Sequence, residues 1–430
     1  MKFIFINNNK SRLLFLLIIA FYYFIYHYKN KEIKKIKVAY YSLQMKYGGI
    51  ERIFSILINY LLKEKKFLFY LITKEVKQIG EYPIPKKVKR ISLSELKINL
   101  TEAVEKKNID ILIYNYGYKE IENLFKLQKT KIIYYNHISF LHWIYKAHIY
   151  NFKNTVYPLY KKCKYVISII PVENNYLFKK WGINSILINN PSTFDFHSVI
   201  PSNLSSKNII MFGRGYDPIK RYELGIKAMK KIIKEIPDCK MNIISESNEH
   251  LINLINELKL ENKVIFTGYQ NNIEIFLKNS SLHILTSFCE SYSLVLGEAK
   301  IFGIPSILCG LDYLALSKGG TIIIYDDNPE SIANAAIKIL NDYEYRKKLG
   351  KEARKSMRKK TNKLIAKKWV KILLSVYRGN DKLFYELSDD NKMSEKEANQ
   401  IISNQLALLK RRNIHFRNAT IEKLLSYSLS

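Results

Sequence analysis

Cysteine is scarce in this 430-residue chain: Cys163, Cys239, Cys289 and Cys309 are all there is. They stand singly, with no Cys-x-x-Cys pair and no Cys/His spacing that suits zinc. A disulfide scaffold is thereby excluded, and the bulk of the chain is expected in a reducing compartment. Acidic residues are short as well. Against 70 Lys and Arg stand 38 Asp and Glu, a formal net charge of +32. No zinc finger, RNA-binding aromatic signature or similar module accompanies that charge, so nucleic acid is not the expected partner. An anionic membrane surface is another partner for it, each nearby Lys or Arg contributing about 1 kcal/mol. A composition rich in Lys, Ile, Asn and Tyr, of the kind AT-rich coding produces, is a third source. Wholesale disorder is excluded by 47% hydrophobic and 13% aromatic residues, ample for two or three domains.

One apolar run stands at the N-terminus, residues 13–28, with lysines 29, 31, 34, 35 and 37 behind it. Its sixteen residues reach about 24 Å as a helix, against a hydrocarbon core of roughly 30 Å. The Tyr-rich second half suits an interfacial belt, and no small residues mark a signal-peptide cleavage site. Residues 1–36 are therefore expected to be a membrane anchor with a basic flank, single-pass or interfacial. The positive-inside rule puts the bulk of the chain on the cytoplasmic side.

From Lys37 onward short apolar runs alternate with helical patterns. The strand-like runs are 36–41, 67–72, 109–114, 131–136, 164–169 and 185–188, separated by helical stretches such as 50–62 and 96–106. After Pro191 the chain turns polar through Ser192, Thr193, Ser202, Asn203, Ser205 and Ser206, the pattern of an interdomain linker. A second series follows at 208–212, 241–245, 264–267, 282–286, 305–308 and 321–325. Alternation at this spacing predicts an α/β chain of two doubly wound domains, 37–200 and 201–360, facing each other across a cleft. Ligands in such sheets sit beyond the carboxyl ends of the strands, so chemistry belongs in the strand-to-helix loops.

Three such loops stand out. Gly48-Gly49 lies between the first strand and the first helix, where paired glycines let backbone approach a ligand and helix amides favour phosphate. Two glycines after a strand are equally an ordinary tight turn. Arg214 and Lys220 lie in the loop after strand 208–212; an Arg fork and a Lys point charge suit a diphosphate, and a solvated basic loop is the bland alternative. The third loop carries Glu290 and Glu298 with Ser291, Tyr292, Ser293 and Leu294 between them. Glu290 falls just before a helix, where the amides of residues 291–293 are free to donate. Glu298 is seven residues beyond Ser291, about two turns, which predicts the same helical face. An N-terminal acid favoured by the helix dipole plus an unrelated surface Glu is the alternative.

Taken together, Glu290 and Glu298 followed by Ala299 and Gly303-Ile304-Pro305 resemble the E-x7-E motif of retaining GT-B glycosyltransferases of family 4. Gly48-Gly49-Ile50-Glu51-Arg52 resembles that family's N-terminal glycine loop, and Arg214 and Lys220 match its diphosphate-binding pair. The resemblance runs from about residue 37 to 358, with bacterial enzymes that build capsule, lipopolysaccharide and related glycans as its nearest kin. It implies two Rossmann-like domains, a nucleotide-diphosphate-sugar donor, a glycan or glycolipid acceptor, and retention at the anomeric carbon. No cofactor and no metal are implied, in keeping with the lack of a placed Asp-x-Asp motif; Asp326-Asp327 and Asp389-Asp390 read as solvated loops. By the same resemblance Glu298 would bind the ribose and Glu290 the transferred sugar, while Arg214 and Lys220 would stabilise the departing diphosphate. Gly48, Gly49, Ser291, Tyr292, Ser293 and Leu294 would line the donor site. His137, in a strand-end loop of the first domain, matches the position of a His near the reacting sugar, with His142 a weaker alternative. Ser291-Tyr292-Ser293 departs from the Gly-Phe-Gly of many members, keeping the amides while changing the packing around the sugar.

Residues 361–378 form an amphipathic stretch that the resemblance returns to the first domain. The polar 379–430 tail contains an amphipathic stretch at 395–412, a membrane-surface helix or a mobile appendage. Two competing functions share the scaffold: a nucleotide-sugar epimerase, and a non-catalytic binder of anionic lipid or nucleic acid.

Overall fold

The computed structural model describes residues 19–21, 34–46, 48–115, 121–145, 157–213, 218–270, 272–388 and 393–412. Arg214, Asp389-Asp390 and the expected anchor at 13–28, apart from a helical turn at 19–21, lie outside these residues. Among the described residues, no helix is long and apolar enough to cross a membrane.

The first domain is a seven-stranded parallel sheet: β1 (Ile36–Ser42), β2 (Phe67–Thr73), β3 (Lys89–Ser92), β4 (Ile111–Tyr114), β5 (Lys131–Asn136), β6 (Tyr165–Ser168) and β7 (Ser185–Leu187). Its order is β3-β2-β1-β4-β5-β6-β7. Ile36 lies opposite Phe67, and Val38 opposite Ile111. The near-continuous burial of β1, β2 and β4 reflects helices on both faces of a parallel sheet. β3 is absent from the strand-like runs named above because its Lys89-Arg90-Ile91-Ser92 is short and charged. Such composition suits an edge strand, where charge discourages pairing with other chains.

The second domain holds six parallel strands: β8 (Asn208–Phe212), β9 (Lys240–Ile244), β10 (Val264–Phe266), β11 (Leu282–Leu285), β12 (Ser306–Cys309) and β13 (Thr321–Ile324). They run in the order β10-β9-β8-β11-β12-β13. In each sheet the winding direction reverses once, between β1 and β4 and between β8 and β11. Crevices open at such switch points. The loop with Gly48-Gly49 leaves β1, the loop with Lys220 leaves β8, and the loop with Glu290 leaves β11. All three motifs thus sit at the two crevices.

The helices that matter to the site are α1 (Gly49–Leu61), α2 (Tyr222–Glu235), α3 (Leu294–Ile301), α4 (Pro329–Asn341), α5 (Tyr343–Met357), α6 (Asn362–Arg378), α7 (Asp381–Glu386) and α8 (Glu395–Arg411). α6 leaves the second domain and packs on α1 and β4 of the first. Its fully buried Trp369 meets Tyr135 edge-on with ring centroids 5.0 Å apart. Gly379 ends α6 in the left-handed conformation at φ 70°, which a glycine adopts without a Cβ penalty.

One local expectation changes. The helix expected over 96–106 is broken: Lys97 is left-handed (φ 51°), and Asn99 caps a new helix by accepting from the Glu102 amide at 2.9 Å. Asparagine's short side chain competes with a continuous ladder and favours the cap. The polar stretch after Pro191, exposed at Asn203 and Ser205, is anchored at its start. Asn189, Asn190 and Ser192 are buried, and Asn362 of α6 accepts from the Ser192 amide and donates to its carbonyl, both at 2.8 Å. Its polarity serves backbone groups removed from water.

Candidate functional site

The two domains meet through charged side chains at the start of α1 and inside α3. Gly48 and Gly49 open α1 in place of a capping side chain, and Gly48 is extended (φ −101°) rather than left-handed. What they supply is closeness. A Cβ on Gly49 would lie 3.9 Å from Leu294 Cδ1 of the other domain, and one on Gly48 would strike the Glu51 carboxylate. Three residues on, Arg52 reaches across, its Nη2 3.0 Å from Glu298 Oε1.

Glu298 has no solvent exposure. Its Oε1 also accepts from Thr193 Oγ1, in the stretch that joins the domains. Its Oε2 is buried with no hydrogen-bond partner among the described residues. An unsatisfied buried polar atom costs about 1–3 kcal/mol, so this oxygen calls for a donor.

Glu290 is the second carboxylate. Lys220 Nζ donates to its Oε1 at 2.6 Å and Ser287 Oγ to the same oxygen at 2.7 Å. Its backbone is fastened by Tyr313, whose hydroxyl accepts from the Glu290 amide and donates to the Glu290 carbonyl, both at 2.8 Å. Lys220 ends a short 3-10 turn, Pro218–Lys220, and the neighbouring Phe288 amide donates to Ile219 O at 2.6 Å. An ammonium has three N–H donors; among the described residues Glu290 takes one, which leaves two for further acceptors. Arg214, expected beside Lys220, lies outside the described residues.

The expectation that Ser291 and Glu298 share one helical face is corrected. α3 begins only at Leu294, and Ser293 before it is left-handed (φ 61°) with no side-chain cap. Residues 291–293 are therefore an irregular loop, and the two carboxylates are set by a turn at Ser293 rather than by helical periodicity. Ser293 Oγ is a further buried polar atom without a partner among the described residues, and Tyr292 is buried beside Asn189.

His137 follows β5 in the first domain. Burial pushes its imidazole down to about 3, so the ring is neutral, and its Nε2 has no hydrogen-bond partner among the described residues. The loop that carries it is pinned by Glu173. That carboxylate accepts from the Phe140 amide at 2.5 Å and from Asn136 Nδ2 at 3.2 Å. Phe140 then meets Tyr313 edge-on with centroids 5.6 Å apart, bringing the His137 loop against the clasp of Glu290. The bond that His142 makes through its amide, to Ser139 O at 2.9 Å, closes the first turn of the following helix.

Glu173 is raised to about 8, burial outweighing its hydrogen bonds from Phe140 and Ser168. Between its ordinary value and about 8 the unfolded chain ionises this group while the folded chain keeps it neutral. Its contribution is thus fully present at low pH and is lost as pH rises through about 8, at no more than roughly 1.4 kcal/mol per pH unit. Glu173→Gln should flatten that dependence. Chemical-denaturation midpoints at pH 5 and pH 8 should converge in the variant and differ in the parent chain.

Arg52, Thr193, Glu173 and Tyr313 do not announce themselves in the sequence. One signal for Arg52 was available: a cation in the first turn of a helix opposes the helix dipole and asks for a carboxylate nearby. Thr193, Glu173 and Tyr313 act through hydrogen bonds to Glu298, Phe140 and Glu290, which lie 105, 33 and 23 positions away, separations that no local pattern encodes.

Comparison with known proteins is consistent with this layout. Residues 194–356 match the model of the family described as glycosyl transferases group 1. N-acetyl-alpha-D-glucosaminyl L-malate synthase of Bacillus anthracis is 29% identical over 157 residues, 35% of this chain and 41% of that protein. The chain thus spans about two fifths of that relative's length. An uncharacterized glycosyltransferase of Haemophilus influenzae is 24% identical over 320 residues, 69% of this chain and 88% of that protein. Among solved structures, HepE of Anabaena in complex with UDP and glucose superposes with a TM-score of 0.62 at 15% identity, over 79% of this chain and 100% of the other. At that identity the likeness is one of fold: two Rossmann-like parallel-sheet domains in the GT-B arrangement.

Proposed function

We propose that this chain, a glycosyltransferase by its group 1 domain and its relatives, is a retaining enzyme of family 4 that takes its sugar from a nucleotide diphosphate. The observation that carries this reading is Glu298. It is a buried carboxylate with one oxygen held by Arg52 and Thr193 and the other unpartnered. A ribose hydroxyl is a donor of the kind that oxygen requires. With it this reading assigns Lys220 to the diphosphate, Glu290, which Lys220 contacts, to the transferred sugar, and the neutral His137 of the first domain to the reacting sugar.

Chemistry at such a site is mostly orientation and charge stabilisation. The acceptor hydroxyl attacks from the face the diphosphate leaves, the new C–O bond forms as the old one breaks, and the departing phosphate takes the proton. Lys220 and Arg214 neutralise the charge that develops on the diphosphate, the part a divalent cation plays elsewhere. Glu290 fixes the sugar through its hydroxyls, and the two domains hold the reactants in register. The Bacillus anthracis relative is named for an alpha-configured product, as retention at an alpha-configured donor would give.

UDP is the nucleotide to try first, since the Anabaena neighbour holds it. The acceptor is proposed to be a glycan or glycolipid at a membrane face, on the strength of the N-terminal apolar run and the +32 charge. The test is a panel of nucleotide sugars scored for thermal protection and for nucleotide diphosphate release. Protection by UDP of several degrees and release from at least one UDP-sugar are expected. Silence across the panel, with the protein folded, would overturn the assignment. Removing the residues before Lys37 should weaken binding to anionic liposomes while leaving a salt-sensitive remainder; no remainder would show that surface charge contributes nothing.

A further inference from the structure

Helix α8 lies over the loops that follow β12 and β13. Gln405 Nε2 donates to Gly310 O and to Asp312 Oδ1, both at 2.6 Å, and Asn404 Nδ2 donates to Asp312 Oδ2 at 2.9 Å. Just past the helix, the Arg412 guanidinium sits 4.7 Å from the Phe288 ring centroid and donates to Phe288 O at 3.2 Å. The same guanidinium holds the Asp327 carboxylate through Nε and, at 3.0 Å, through Nη2.

Asp327 has a second cation. Arg221 grips it through Nη1 at 2.6 Å and Nη2 at 2.9 Å, while its Nε donates to Thr286 O at 2.8 Å. One carboxylate therefore joins two guanidiniums, and each guanidinium holds a carbonyl of segment 286–288. That segment runs directly into Glu290, and Arg221 directly follows Lys220. Thr286 Oγ1 adds a bond to Lys220 O at 2.7 Å. Burial favours a neutral Asp327, but Arg412 and Arg221 together outweigh it and hold the carboxyl down at about 2. Arg221 itself is left-handed at φ 48°, a conformation an L-residue keeps only where its surroundings over-determine it.

We propose that Arg412, acting through Asp327 and Arg221, is a positioning residue that fixes the relation of Lys220 to Glu290. The donor site is complete only with the C-terminal segment seated on the second domain. This rests on the assignment of Lys220 and Glu290 to the donor site. Without Arg412 the Phe288 carbonyl loses one donor and Asp327 keeps one cation of two, so the approach to Glu290 loosens.

The test uses the full chain with Arg412→Ala, Arg412→Lys and Glu290→Ala. It reads UDP affinity by calorimetry, UDP release from UDP-glucose and UDP-N-acetylglucosamine, and hydrogen exchange in the peptide covering 286–293. Arg412→Ala should speed exchange in that peptide and lower turnover about tenfold, with KM and UDP affinity changed by less than about threefold, since small misplacements of a reacting group are enough for such a loss. Arg412→Lys, which restores the charge without the fork, should fall between. Unchanged exchange in 286–293 in Arg412→Ala overturns the proposal. So does a loss of UDP affinity in proportion to a fallen thermal midpoint, which marks a mere brace. Glu290→Ala separates the two assignments. If it keeps full turnover, the donor-site reading fails; if it is inactive and Arg412→Ala is normal, only the positioning role fails.

Discussion

Glu290→Ala should lower turnover by about 10²–10³-fold, the scale of removing one positioned polar group from a reacting centre. The fold should survive. Glu290 and Lys220 are each 13% exposed, so water can reach the lone ammonium, and the loop backbone is still held by Tyr313 on the main chain of residue 290. Glu290→Gln is expected to fall between, because the amide oxygen can still accept from Ser287 while the charge that orders Lys220 is gone. Steady-state release of nucleotide diphosphate, beside a melting curve, measures both quantities. A folded Glu290→Ala variant with unchanged turnover would remove this residue from the chemistry.

Glu298→Gln should act on binding instead. A hydrogen bond to a charged group contributes about 1.5–3 kcal/mol, so UDP affinity should drop roughly 10- to 100-fold. Turnover at saturating donor should change much less, since the ribose contact is made equally in ground and transition states. Arg52→Ala should weaken UDP binding by a smaller factor, and the double variant by less than the product of the two. Arg52 and Glu298 contact each other directly, and their effects are therefore not independent. Calorimetric titration of UDP into the four proteins closes the cycle. Full additivity would show that the ion pair has no part in forming the site.

Much of this was legible in the chain before any coordinates. Strands 131–136 and 208–212 lie where the apolar runs placed them, because parallel strands buried on both faces read as unbroken hydrophobic blocks. Glu290 and Lys220, in the loops that leave β11 and β8, come together as an ion pair. What stayed hidden has common causes. β3 is short and charged, so it carries no hydrophobic signature. The turn at Ser293 depends on a left-handed residue that nothing in Ser-Tyr-Ser demands. The cross-domain pair Arg52–Glu298 and the junction of α8 with Asp327 are tertiary contacts between segments far apart in sequence. The amphipathic pattern at 395–412 foretold a helix with one apolar face, yet gave no hint that this face would meet the second domain.

The central claim is transfer from a nucleotide diphosphate sugar with retention, and water can serve as acceptor where the natural one is unknown. Proton NMR of the sugar first released from UDP-glucose or UDP-N-acetylglucosamine, read before mutarotation, reports the anomer directly. The alpha anomer should appear first, and Glu290→Ala should slow its release by about 10²–10³-fold. Initial release of the beta anomer, or conversion of the donor to an epimeric nucleotide sugar with no free sugar, would contradict the account.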